Sequence, residues 1–273
     1  MKTRTILILA AALLAFAQSA VAQLYFLQDG NGSYYRLDTT TGAATLVTTI
    51  PLVTSSTIGL TEGPAGFMYA TTWTNLISFH SDGTVPTTIG PSGAEGLAYC
   101  IPSGILYGSI NGAFFTVNQT TGAQSALASP PGNADVEGLA CDHKNNVVYG
   151  LAGNGGPKGN LYRYTPGTDS WALVGNTGVL FDLDGLAMDA NAGVLYGLGV
   201  QDGNLYRINP LTAASSVVGP TGLGNVGGGL GFVPVAQAQV PVPTLSDAMM
   251  LLLAAALAGI AAFTFMRQRG GSI

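Results

Sequence analysis

The chain has 273 residues, of which 47% are hydrophobic, only 8% are charged and 39 are glycines. Soluble domains usually carry about a quarter charged residues, so this composition excludes helical bundles, coiled coils and charged disordered tails, and it favours an all-β protein. Nine basic residues against 14 acidic residues give a net charge of −5. This balance argues against nucleic-acid binding through phosphate neutralisation.

Residues 1–22 are organised like a secretory signal peptide. Lys2 and Arg4 supply positive charge, residues 6–17 form an apolar run, and Ala20-Val21-Ala22 matches the small-x-small cleavage pattern. We therefore expect export, with the mature chain beginning at Gln23. The alternative is an uncleaved anchor, but the apolar run is shorter than the roughly 20 residues that a membrane span needs.

Residues 23–234 contain an internal repeat, which is the strongest fold signal in the chain. Three copies read Gly-Leu-Ala and are followed by Tyr-Gly eleven residues after the first glycine. The Gly-Leu starts lie 37 to 47 residues apart, at Gly59, Gly96, Gly138, Gly185 and Gly229. Each period predicts four short strands between turn residues. In the clearest copy the predicted strands are 184–188, 194–198, 204–209 and 215–219.

Four strands in about 40 to 45 residues are typical of a β-propeller blade. Residues 24–47 supply three strands without a Gly-Leu start, and residues 229–232 supply only that start. Together they make one composite blade. We predict an all-β, five-bladed propeller over residues 23–234, with four-stranded blades and closure between the two ends of the domain. The Gly-Leu-Ala and Leu-Tyr-Gly cores are similar to those of bacterial YVTN, NHL and lactonase-like propellers.

The C-terminal part of the chain predicts a stalk and an anchor. Residues 235–247 are rich in proline and read as a semi-rigid linker. Residues 248–266 carry no charge and are long enough to span a membrane, so residues 248–273 are expected to form a transmembrane helix with a cytoplasmic tail containing Arg267 and Arg269. A buried core helix is the alternative, but it should show a polar stripe, and this segment is apolar all round.

A short motif precedes this segment, Pro243-Thr244-Leu245-Ser246. With the apolar segment and the terminal arginines, it resembles the IPTL-type C-terminal sorting signal of Gram-negative bacteria, a relative of the PEP-type signals handled by exosortases. Val242 stands where the family usually has Ile, and the aromatic residue that often follows the Ser is absent. The resemblance implies export, membrane anchoring and processing by a sorting protease at the cell envelope or surface.

Five carboxylates lie at or just before first strands of three adjacent predicted blades, namely Glu95, Asp135, Glu137, Asp182 and Asp184. In a propeller the loop that leads into each first strand opens on the mouth of the central channel, so these groups should converge there. Clustered like charges are costly without a cation or shared protons, and ligands that are all oxygen favour Ca²⁺ or Mg²⁺. The sequence thus raises a Ca²⁺ site as a hypothesis. The alternative is that they are solvated or hydrogen-bonded turn residues.

The loops after the second strands are rich in Asp, Asn and Gly, at residues 29–31, 154–156 and 201–204. Such loops can bind glycans, but the same residues are also required by tight hairpins. The two histidines, His80 and His143, have no visible catalytic partner, and His143 is interpreted as a turn residue. The chain has no Gly-x-Ser-x-Gly or His-Glu-x-x-His motif.

Cys100 and Cys141 are the only cysteines, and an oxidising compartment permits a disulfide between them. They lie four and three residues after their repeat glycines, which places them on opposite faces of regular strands. Because bridge geometry is strict, the pairing stays open.

Two functions are compatible with these features. The first is a non-enzymatic, exported interaction module for a glycan, the extracellular matrix or a protein, supported by the sorting tail and the missing catalytic set. The alternative is a divalent-metal-dependent lactonase-like or phosphoesterase-like hydrolase that uses the acidic mouth. The fold alone does not decide between them, because propellers support both.

Overall fold

The computed structural model describes residues 22–54, 59–153, 157–179 and 182–234. These residues form twenty β-strands and contain no α-helix. Three short 3-10 turns lie at Pro64–Gly66, Pro131–Asn133 and Pro166–Thr168. Within the described residues, turns, loops and these short 3-10 turns connect the strands.

The strands form five four-stranded antiparallel sheets, which are the blades of a propeller. Blade 1 contains β20 (Gly228–Val233), β1 (Gln23–Gln28), β2 (Ser33–Leu37) and β3 (Ala44–Thr49). Blade 2 contains β4 (Gly59–Glu62), β5 (Phe67–Thr71), β6 (Asn75–His80) and β7 (Thr87–Pro91). Blade 3 contains β8 (Gly96–Cys100), β9 (Ile105–Ile110), β10 (Ala113–Val117) and β11 (Gln124–Ala126). Blade 4 contains β12 (Val136–Asp142), β13 (Val147–Ala152), β14 (Asn160–Thr165) and β15 (Ser170–Asn176). Blade 5 contains β16 (Leu183–Asp189), β17 (Val194–Gly199), β18 (Asn204–Ile208) and β19 (Ser215–Pro220). The predicted five-bladed architecture is confirmed.

The two ends of the domain complete one blade, as the sequence predicts. In blade 1, Leu24 pairs with Phe232 and Phe26 pairs with Leu230. The first strand of this blade therefore comes from the C-terminal end of the domain, and the other three strands come from the N-terminal end. Opening the ring at this point requires the whole β1–β20 ladder to separate and leaves an unpaired strand edge.

The Gly-Leu repeat has a direct structural reason. The glycine of each first strand lies against the leucine of the first strand in the next blade, and a Cβ atom on the glycine would come within about 3 Å of that leucine. The contacts run once around the ring: Gly59 with Leu97, Gly96 with Leu139, Gly138 with Leu186, Gly185 with Leu230, and Gly229 with Leu60. The narrow space between these first strands has no room for a water molecule. The central channel is thus closed by packed side chains and backbone.

The hydrophobic core lies between the blades. Five buried apolar clusters are present in the described residues, one at each junction between neighbouring blades. The junction of blades 3 and 4, for example, contains Tyr107, Phe114 and Tyr164, whose rings lie 4.7 to 5.9 Å apart. Because each blade contributes to two clusters, the ring is stabilised as one unit.

Candidate binding face

The ring has two ends, and the carboxylates predicted from the sequence belong to one of them. We call this end the mouth face; it consists of the loops that lead into the first strands and the loops that connect second strands to third strands. Hydrogen bonds join the two kinds of loop: the Gly153 N–H donates to the Asp135 carbonyl, and the Val200 N–H donates to the Asp182 carbonyl, both at 3.0 Å. We call the opposite end of the ring, where the first strands finish, the closed end.

Three of the five predicted carboxylates, Asp135, Asp182 and Glu137, contact neighbouring loops of the mouth face. Asp135 Oδ1 accepts a hydrogen bond of 3.1 Å from the Gly112 N–H. Asp182 is buried, and its Oδ1 lies 3.2 Å from Lys158 Nζ. The Glu137 carboxylate packs against Gly153, where there is no room for a Cβ atom. These three side chains therefore each contact protein groups in the loops of the mouth face.

The other two are Glu95 and Asp184, and Asp184 lies near an acidic residue that sequence reasoning did not select, Asp29. The carboxylates of Asp29 and Asp184 both lie next to Gly227. A Cβ atom on that glycine would lie 2.5 Å from Asp184 Oδ2 and 3.1 Å from Asp29 Oδ2. Asp184 Oδ2 accepts a hydrogen bond of 2.9 Å from the Gly228 N–H. Two carboxyl groups from different blades therefore flank one small glycine.

Burial, with a smaller contribution from neighbouring negative charges, raises the pKa values of these carboxyl groups. Burial, followed by the negative charges of Asp184 and Glu95, raises the pKa of Asp29 to about 8. Burial also raises the pKa of Asp184 to about 6, although backbone N–H groups of residues 185 and 228 oppose the shift. The pKa of Glu95 is raised by burial and then by Asp135 and Asp184. Near neutral pH the mouth therefore holds protons in place of part of its negative charge.

Asp29 was missed because the sequence suggested it only as part of a polar loop. It follows β1, which is the second strand of the composite blade, so its loop connects a second strand to a third strand and belongs to the mouth face. The signal that could have found it is this position in the repeat rather than the residue type. Its N–H donates to the Gly227 carbonyl at 3.0 Å, which fixes the loop beside the last connection of the ring.

The predicted Ca²⁺ site can be compared with this arrangement. Among the residues that the structure describes, no three His, Cys, Asp or Glu side chains are grouped closely enough to hold a metal ion. Asp135, Asp182 and Asp184 each have a protein hydrogen-bond or ion-pair partner. The closed axis beneath them leaves no room for a ligand between the first strands.

Apolar side chains accompany the carboxyl groups on the mouth face. Trp73, between β5 and β6, is 51% exposed, and Leu52, on the connection from blade 1 to blade 2, is 37% exposed. The backbone of Trp73 packs against Gly93, two residues before Glu95. An exposed tryptophan thus lies one loop away from the acidic mouth.

The two cysteines form a disulfide between blades 3 and 4, with their Cα atoms 5.4 Å apart. They lie on opposite faces of their strands, as their offsets from the repeat glycines indicate. This is the arrangement that allows two cysteines on neighbouring stacked blades to meet. Neighbouring blades stack face to face, so one face of blade 3 meets the other face of blade 4. Both cysteines are buried in the cluster at this junction.

Several predicted features lie outside the described residues. They are the signal peptide up to residue 21, the polar-loop residues 154–156, the linker 235–247 with the sorting motif at 243–246, the apolar segment 248–266, and Arg267 and Arg269. The chain divides by its internal contacts into Met1–Val235 and Ala236–Ile273, and the described residues all belong to the first unit. Within those residues no helix has the length and apolar character to cross a membrane.

Comparison with known proteins identifies the fold. No protein-family model and no curated protein matches the chain. Among solved structures, the chain is similar to one chain of a crystal structure of a nidogen/laminin complex, with 13% identity and a TM-score of 0.54 over 77% of this chain and 98% of that chain. At this identity the similarity shows a shared β-propeller fold and no more.

Proposed function

We propose that this protein is a non-enzymatic binding module whose mouth face recognises a protein partner. The observation that supports this most directly is the proximity of Asp29 and Asp184, which come from blades 1 and 5 and lie on either side of Gly227 above a closed axis. Because the axis has no room for a ligand, a partner binds across the face rather than inside the ring. The chain with similar fold belongs to a complex of nidogen with laminin, which is in keeping with a propeller as a recognition platform.

The chemistry of the face favours a partner with basic and apolar groups. Carboxyl groups with raised pKa values release their protons most readily when a cation approaches, and Lys or Arg side chains supply that charge. Trp73 offers a large ring for apolar or cation–π contact, and tryptophan is enriched among residues that dominate binding energy. A glycan ligand is the other partner class that the polar loops accommodate.

We also propose that the protein is exported and sorted to the cell envelope or surface of a Gram-negative bacterium, where a sorting protease processes its C-terminal segment. The support for this proposal is the organisation of residues 1–22 and the order of motif, apolar segment and arginines at 243–269. An exported location also supplies the oxidising conditions in which the Cys100–Cys141 disulfide persists.

Site-specific photo-crosslinking in the producing cells tests the binding face. A photoreactive phenylalanine derivative replaces Trp73 in one variant and Leu211 in a matched control; Leu211 is 77% exposed on the turn after β18. We expect a protein adduct from position 73 that is reduced by Glu95→Gln and Asp184→Asn, and none from position 211. Equal adducts at both positions would refute the mouth face as the binding surface, and an adduct to a glycan would replace the protein partner with a glycan.

The metal-dependent hydrolase makes a different prediction. A cation bound only by the folded state would raise the melting temperature by mass action, and Glu137→Gln combined with Asp184→Asn would abolish that rise. A binding module without a cation site melts at the same temperature with and without Ca²⁺. Thermal unfolding of the full chain in Ca²⁺ and in chelator therefore separates the two functions.

A further inference from the structure

The closed end joins the first strands of blades 2, 3 and 4 through a polar network that no sequence pattern indicated. The Tyr99 N–H donates to Thr61 Oγ1 at 3.0 Å, and the Thr61 hydroxyl donates to Glu62 Oε2 at 3.1 Å. Glu62 Oε1 lies 2.6 Å from His143 Nε2. His143 Nδ1 accepts a hydrogen bond of 3.4 Å from the Ile101 N–H. The network thus starts and ends in blade 3 and passes through blades 2 and 4.

The hydrogen bonds assign the tautomer of His143. Since Nδ1 accepts from a backbone N–H, the proton of the neutral imidazole resides on Nε2 and points at the Glu62 carboxylate. The two side chains are only 13% and 9% exposed. The other charged groups of this turn face elsewhere: Asp142 accepts from the N–H groups of Lys144 and Asn145, and Lys144 Nζ lies 3.4 Å from the Asn191 carbonyl. Glu62 is therefore the charged partner of the imidazole among the described residues.

The disulfide lies inside this network. Cys100 is flanked by Tyr99 and Ile101, and the backbone N–H groups of these two neighbours are the donors to Thr61 and His143. Its partner, Cys141, lies two residues before His143. The covalent bond therefore holds the Ile101 donor and the His143 acceptor at opposite ends of one short connection.

We infer that the disulfide and the Glu62–His143 network are one oxidation-dependent clamp, in which each half stabilises the other. When the thiols of Cys100 and Cys141 react with a disulfide oxidant such as glutathione disulfide, they lose two protons and two electrons, and the oxidant leaves as two thiols. The new bond restricts the movement of blade 3 against blade 4, so the Ile101–His143 and Glu62–His143 hydrogen bonds form at lower entropic cost. By reciprocity, the network favours the disulfide by the same factor.

The role of this clamp rests on the proposed export. In a reducing compartment the closed end lacks the covalent half, so the network is weaker and the ring opens more easily there. After export, oxidation completes the clamp and gives the propeller its full stability. Coupling between the two halves is a property of the purified protein, so its measurement is independent of where the protein resides or what it binds.

A double-mutant cycle on the full chain tests the coupling. His143→Gln is made in the natural chain and in a chain carrying Cys100→Ala and Cys141→Ala, and unfolding by urea gives the folding equilibrium constant of each. We expect His143→Gln to lower that constant by about tenfold or more in the oxidised chain, and by a factor at least about threefold smaller in the cysteine-free chain. Tyr206→Phe, which removes a hydrogen bond to Asp202 in blade 5, is the matched control and should cost the same in both chains. Equal costs of His143→Gln in both chains would overturn the clamp.

A spectroscopic measurement covers the case in which a variant fails to fold. The chain has two histidines, so the imidazole nitrogen signals of His143 are identified by comparison with His80→Gln. In the oxidised chain we expect the signature of a single tautomer with the proton on Nε2, and after reduction an average of both tautomers. The milder substitution Glu62→Gln should shift the oxidised signal in the same direction. A His143 signal that is unchanged by reduction would contradict the inference.

Discussion

Gly229, in the last strand of the domain, lies directly against Leu60, in the first strand of blade 2, and this contact closes the ring of five Gly-Leu pairs. The two residues are far apart in sequence, and they meet because the C-terminal strand β20 forms the inner edge of blade 1. Every other Gly-Leu contact joins two first strands that follow one another along the chain. The Gly229–Leu60 contact is the one that depends on closure.

Closure therefore predicts a specific cost for filling the space at residue 229. We expect Gly229→Ala to destabilise the fold by about 1–3 kcal/mol, because the added Cβ overlaps Leu60 and the backbone cannot move away without disturbing β20. Gly167→Ala is the matched control, since a Cβ atom there meets no neighbour within 4 Å. Urea unfolding of both variants measures the difference. Similar stabilities for the two variants would contradict the tight packing at the closing contact.

The disulfide predicts a large effect of reduction on stability. It closes a segment of 41 residues, for which the loss of chain entropy in the unfolded state amounts to about 4 kcal/mol. We expect the combined substitution Cys100→Ala and Cys141→Ala to lower the unfolding free energy by roughly that amount, and a reducing agent to have no further effect on this variant. An unfolding midpoint that is the same for the variant and the oxidised natural chain would show that the bond adds no stability.

The raised pKa of Asp29 predicts that stability decreases towards alkaline pH. Its pKa of about 8 in the folded protein is higher than its ordinary value of 3.8, so the folded state binds more protons than the unfolded state between these values. The stabilisation is complete below about pH 4 and is lost as the pH rises through about 8. We expect Asp29→Asn to remove this loss and to be more stable than the natural chain near pH 9 by about 2 kcal/mol.

The control for this titration is an aspartate whose pKa is shifted in the opposite direction. The hydroxyl and N–H groups of Thr40, together with Thr41, lower the pKa of Asp38, which is fully exposed. Asp38→Asn therefore leaves the alkaline decrease in stability unchanged. Denaturant unfolding between about pH 5 and pH 9 measures both variants. An alkaline decrease that persists in Asp29→Asn would assign it to other groups of the mouth.

The export proposal predicts a defined N-terminus. Mass spectrometry of the protein isolated from its producing cells should find Gln23 as the first residue, because signal peptidase cleaves after the small-x-small sequence that ends at residue 22. Fractionation should recover this species with the cell envelope. A protein that retains Met1 would contradict the signal peptide and with it the proposed export.

The sequence by itself determined the blades. Alternating β-branched and aromatic residues between turns are a local property, and the predicted strands 184–188 and 194–198 differ from the observed strands of blade 5 by one residue at their ends. The repeated Gly-Leu also identified the composite blade. The C-terminal segment has a first strand but no further strands, and the N-terminal segment has three strands but no first strand, so each leaves unpaired backbone groups unless the two segments pair.

The tertiary structure decided which side chains meet. The Asp29–Asp184 and Glu62–His143 neighbours belong to different blades and are separated by long stretches of chain, so no local pattern contains them. The same holds for the disulfide: strand parity placed the two cysteines on opposite faces, but only the stacking of blade 3 on blade 4 brings those faces together. Strand periodicity is read from neighbours along the chain, whereas the mouth face and the closed end are formed by strand ends and loops that the ring closure places side by side.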